Sequence, residues 1–130
     1  MTSHFEQLGG GPVLRCIIDT FVDRVYDDAM IGFFFRKVDR VRLKQLEYEH
    51  AARLLGADIP YTGRTMAKAH QNHPIMGGQF NRRMVILQQV LQDFEVPAPI
   101  QTVWMAHTEQ LRSAVVRGRP NECAMSDEIC

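Results

Sequence analysis

Apolar residues recur at intervals of three and four along nearly the whole chain, and nowhere do they alternate in the two-residue rhythm of a strand. Such a chain buries its apolar residues as stripes on helices, so the sequence predicts an all-α fold. Gly and Pro punctuate the stripes. Leu8-Gly9-Gly10-Gly11-Pro12 reads as a turn, with Pro12 suited to the first turn of the helix behind it. That helix carries Val13, Ile17, Phe21 and Val25 and ends near Asp27-Asp28. Ile31 to Phe35 forms a short aromatic corner. A helix capped by Asp39 carries Leu43, Leu46, His50 and Leu54 and stops before Gly56. After a loop containing Pro60, a short helix around Thr65 to Gln71 cannot pass Pro74, whose ring and missing amide break the ladder. A long helix follows with Phe80, Met84, Leu87, Leu91 and Phe94. Pro97 and Pro99 interrupt the chain before a last helix with Ile100, Val103, Trp104, His107, Leu111 and Ala114.

From Arg117 onward the sequence turns polar. Residues 1–117 are therefore expected to form one domain and 118–130 a flexible tail. Hydrophobic residues make up 45% of the 130, enough for a packed core. Fifteen acidic residues balance fifteen basic ones, which removes any global pull toward nucleic acid or an anionic membrane. No apolar run reaches the roughly 20 residues of a membrane span, and the first residues lack a secretory signature. Cys16 falls within a helical pattern, while Cys123 and Cys130 fall in the tail. Without framework spacing, these read as reduced thiols of a cytoplasmic protein.

Two places carry chemistry. Glu47 and His50 share a helix face with Leu43, Leu46 and Leu54. Burying an unpaired carboxylate or imidazole costs on the order of several kcal/mol, so the two neutralise each other, reach water or meet a polar ligand. His70 follows Met66 by four on a short helix, with His73 just beyond. A lone histidine on an apolar face is either a satisfied core residue or a ligand. No cysteine pair has zinc spacing, whereas one neutral imidazole suffices to hold a heme iron. Phosphate-binding loops, dinucleotide fingerprints and nucleophile-elbow serines are missing. The seven methionines suit a cofactor pocket or plain core filling. Asp27-Asp28, Arg36-Lys37 and Arg82-Arg83 read as solvated faces.

Taken in order, these pieces resemble the truncated hemoglobin family, its first group best. Leu8-Gly9-Gly10 with Phe21 matches the opening glycine motif and second helix. Phe33-Phe34-Phe35 matches the aromatic corner, with Phe35 at the heme-packing position. Arg42-Leu43-Lys44 opens the distal helix, and Tyr61-Thr62-Gly63-Arg64 to Met66 leads into the proximal one. His70-Gln71-Asn72-His73-Pro74-Ile75, followed by Phe80, matches the proximal pattern, and Val96-Pro97 the break before the last helix. The likeness covers about residues 5 to 116.

The resemblance implies a two-over-two helical sandwich around one heme b, with His70 as the iron ligand. It places Phe35, Leu43, Leu46, Glu47, His50, Met66, His73 and Phe80 against the cofactor, and His73 is either a contact to a propionate or an exposed loop residue. The ligand pocket would comprise Phe21, Val22, Leu43, Glu47 and His50. Two departures matter. The family commonly follows the Phe with a Tyr that donates a hydrogen bond to bound oxygen, and here Val22 stands there. The polar partner on the distal helix is often Gln, and here it is Glu47. A protonated Glu47 or His50 would supply a donor, whereas an ionised Glu47 would repel the ligand.

Three functions follow from this reading. The first is reversible binding of a diatomic gas, for transport or sensing, with an electron-donating reductase as partner. The second is a heme enzyme with nitric oxide dioxygenase or peroxidase activity. The third is a heme-free helical interaction module.

Overall fold

The computed structural model describes residues 2–63 and 76–116, which form helices and no strand. Chain order runs α1 (His4–Leu8), α2 (Gly10–Asp27), a 3₁₀ turn (Gly32–Phe35), α3 (Arg40–Leu54), α4 (Gly77–Asp93), α5 (Ala98–Gln110) and α6 (Arg112–Val115). Helix α2 packs on α1, α3, α4 and the 3₁₀ turn, while α5 packs on α3 and α4. The long helices thus form two pairs, α2/α3 and α4/α5, laid one over the other in the expected two-over-two sandwich.

Local sequence explains most of the boundaries. The Asp39 side chain accepts from the Arg42 amide at 3.2 Å and starts α3 where the cap was expected. Helix α1 escaped the periodicity argument because it spans five residues. Its signal is a capping box, in which Ser3 and Glu6 satisfy each other's amides at 3.1 Å. Gly10 and Gly11 are helical rather than part of a turn. Pro12 then falls among the first amides, which have no partner in any helix. Gly9, with φ +122°, makes the corner between α1 and α2. The expected single last helix divides at Leu111 into α5 and α6.

The core lies where the two pairs cross. Leu14, Ile17, Leu87, Val90, Leu91 and Ile100 are fully buried there, and each such side chain contributes roughly 1.5–3 kcal/mol relative to exposure. The α2 stripe is wider than one row. It buries Leu14, Ile18 and Val22 beside Ile17, Phe21 and Val25, and leaves Val13 37% exposed. Phe94, expected on the α4 stripe, sits past the end of the helix and is also 37% exposed.

Candidate functional site

Beside this core, and sharing Leu87 with it, the helices separate around an apolar cavity of about 300 Å³, the lower end of the range for small-molecule sites. Helix α2 contributes Phe21 and Val22, the 3₁₀ turn Phe35, α3 Leu43, Leu46, Glu47 and His50, and α4 Phe80 and Arg83. Every expected pocket residue that is described lines this one cavity. Met66, His70 and His73 lie outside the described residues.

The polar groups at the cavity are arranged differently from the simplest reading of the sequence. Glu47 and His50 do not pair with each other. Both Glu47 carboxylate oxygens accept from Arg83 Nη2, at 3.1 and 3.2 Å, and the Arg83 guanidinium lies 4.8 Å from the centre of the Phe21 ring. Arg83 is thus no solvated residue. It shares the α4 stripe with Phe80 and Leu87, the same spacing signal that singled out Glu47 and His50. Its neighbour Arg82 is also engaged, with Asp28 at 2.8 Å. Asp28 is nearly buried and accepts from the Met30 and Ile31 amides, so it ties the end of α2 to the aromatic corner. The Arg82 hydrogen bond holds its carboxyl below the usual range against the opposing effect of burial.

His50 has no such partner. Its Nε2 is buried and unsatisfied among the described residues. Its ring faces the His107 ring of α5 at 5.2 Å and the Tyr61 ring edge-on at 6.0 Å. Desolvation lowers its pKa; Glu47 opposes that, and His107, Arg83 and Arg53 add to it, so the ring is held neutral.

Glu49 was not legible as a site residue. It is 5% exposed and holds Thr62 by the backbone amide at 2.7 Å and the hydroxyl at 2.9 Å, with Gln45 donating at 2.8 Å. Burial alone would raise its pKa, but these donors outweigh burial and lower it. The clamp fixes the segment that places Tyr61 on the cavity wall. Its partner is 13 residues away in sequence, beyond the reach of any helical spacing rule.

The lining suits a broad apolar group. Aromatic and aliphatic walls come from six elements, and a buried imidazole nitrogen is left for a polar ligand to meet, at a cost of about 1–3 kcal/mol if nothing does.

The model of the bacterial-like globin family matches residues 3–117. A group 1 truncated hemoglobin, GlbN, from a Synechocystis species is 30% identical over 101 residues, 75% of this chain and 82% of the relative. Among solved structures, the truncated hemoglobin of Tetrahymena pyriformis in its Fe(III) form superposes with a TM-score of 0.80 at 21% identity, covering 90% of this chain and 100% of that one. The 2/2 hemoglobin of a Synechococcus species reaches 0.82 at 24% identity, covering 88% and 98%.

Proposed function

Given that this chain belongs to the bacterial-like globin family and is one of its truncated hemoglobins, we propose that it holds one heme b in the cavity between its helix pairs and reversibly binds a diatomic gas such as oxygen there. The carrying observation is the shared lining: Phe21, Val22, Phe35, Leu43, Leu46, Glu47, His50 and Phe80 surround one space. A bound heme would supply an iron centre able to take small ligands.

The chain's own residues do the rest. Phe21, Phe35, Leu43, Leu46 and Phe80 hold a flat apolar group and keep bulk water from it. Val22 offers no hydrogen bond, and Arg83 occupies Glu47, so the carboxylate gives no donor to a ligand. His70 is assigned as the iron ligand on the family pattern. The stretch that bears it is flanked in sequence by Tyr61 and by Gln79 and Phe80, all of which line the cavity. Met66 and His73 belong to the same assignment.

The proposal extends to a cytoplasmic protein served by an electron-donating reductase, in keeping with a free, exposed Cys16. Titration of the purified protein with hemin tests it. One hemin per chain with an intense Soret band is expected, and His70→Ala should weaken uptake at least about tenfold, or about 1.4 kcal/mol. A colourless protein, or equal uptake by the variant, refutes the assignment.

A further inference from the structure

The polar side chains around the cavity are unequally committed. Glu47 and Arg83 hold each other, Gln79 accepts from the Met76 amide at 2.7 Å, and the Thr108 hydroxyl donates to the Trp104 carbonyl at 2.9 Å. His50 stands apart, since its Nε2 is buried with no partner among the described residues. One ring away is His107, half-buried on α5, whose ring centre lies 5.2 Å from that of His50 at a tilt of 45°. The two imidazoles therefore run from the cavity toward the surface of α5.

We propose that His50 and His107 form a proton relay, in which His50 Nε2 is the base for a small protic ligand H–X entering the cavity and His107 passes the proton to solvent. This rests on the heme reading above and adds a ligand class beyond diatomic gases, weak acids that bind as anions, such as hydrogen cyanide, hydrogen sulfide or hydrogen peroxide. The H–X bond breaks, its electron pair stays on X, and the proton bonds to the Nε2 lone pair. The opposite ring nitrogen of His50 releases its own proton to His107, directly or through one water, and His107 loses one to bulk. The sum is one proton moved from ligand to solvent, with no net gain or loss of protons by either imidazole.

The surrounding charges favour the base form. The groups facing His50 are Glu47 and Arg53 of α3, Arg83 of α4, His107 of α5 and Tyr61 beyond α3. Desolvation and the cations outweigh Glu47, so His50 keeps its lone pair near neutral pH. An imidazole that does not stay protonated both takes a proton and gives it up.

The test uses the ferric holoprotein with cyanide as the acidic probe and the ferrous form with carbon monoxide, which has no proton to give. With His50 as base, the cyanide association rate stays nearly level with pH below the acid's own ionisation. In His50→Phe it should fall at least about tenfold near neutrality and then rise about tenfold per pH unit, tracking free anion. A change in access would move cyanide and carbon monoxide together, so their ratio isolates the base. Equal pH slopes in wild type and His50→Phe overturn the proposal while leaving heme binding standing, whereas failure to take up hemin overturns both. His107→Phe should slow cyanide-linked proton release, read with a pH indicator, and raise the His50 midpoint in an NMR titration. If neither moves, His107 has no part in the relay.

Discussion

At the scale of single residues, the site is decided by what each polar group is already bound to. Glu47 looked free to donate or repel as its charge dictated, yet Arg83 takes both of its oxygens. Val22 is 1% exposed and lines the cavity, so a phenol placed there has somewhere to go. Val22→Tyr is expected to slow oxygen dissociation about tenfold, the effect of a hydrogen bond worth about 1.5 kcal/mol. Stopped-flow release into an oxygen scavenger measures it, and an unchanged or faster rate counts against the assigned pocket. Glu49→Ala leaves the Thr62 amide and hydroxyl without their acceptor. It should cost about 2 kcal/mol in urea unfolding, and an exposed variant such as Asp19→Ala should fall within about 0.5 kcal/mol of wild type.

At the scale of elements, boundaries were readable where a side chain announces them. Asp39 and the Ser3/Glu6 box carry cap chemistry in their identities, and the apolar intervals of α2 and α4 gave the buried face of each. Val13 misled because a stripe counted in fours admits one row, whereas a helix laid across two neighbours buries two. Arg83 and Asp28 misled for a different reason. Charge next to charge in sequence suggests water, and only the crossing of α2, α3 and α4 brings each an opposite partner. His50 was legible as a polar intruder on an apolar face, but its neighbour on α5 was not, because nothing local links the two helices.

The corner between α2 and α3 supplies a further prediction. A Cβ on Gly32 would collide with the Tyr26 backbone carbonyl, which cannot rotate aside as a side chain end can. Gly32→Ala should therefore destabilise the protein by about 1–3 kcal/mol and shift Phe35 at the cavity wall. A variant with unchanged thermal midpoint would show that the corner is pliable.

At the scale of the whole molecule, the shifted groups that titrate on the acid side of neutrality all point one way, whereas Tyr26, Tyr61 and Arg82 are raised on the alkaline side. His50, Asp28 and Glu49 each have a folded pKa below the ordinary value. Each therefore stabilises the fold above its unfolded pKa and loses that contribution as the pH falls. His50 acts first, below about 6.5, where the unfolded chain takes a proton that the folded protein resists. The carboxylates follow below 4.5 and 3.8. Urea midpoints should decline in two stages on acidification, and His50→Phe should remove the upper one. A level midpoint through the histidine range would contradict this. No helix among the described residues is long and apolar enough to cross a membrane.

The grip of Glu49 on Thr62 also has a mechanical meaning. The segment that bears Tyr61 is latched to α3 at Thr62, by the Glu49 carboxylate and by the Arg42 guanidinium at 3.3 Å from the Thr62 carbonyl. Any tilt of α3 tugs on that tether, so a disturbance of the helix is carried to Tyr61 at the chamber wall.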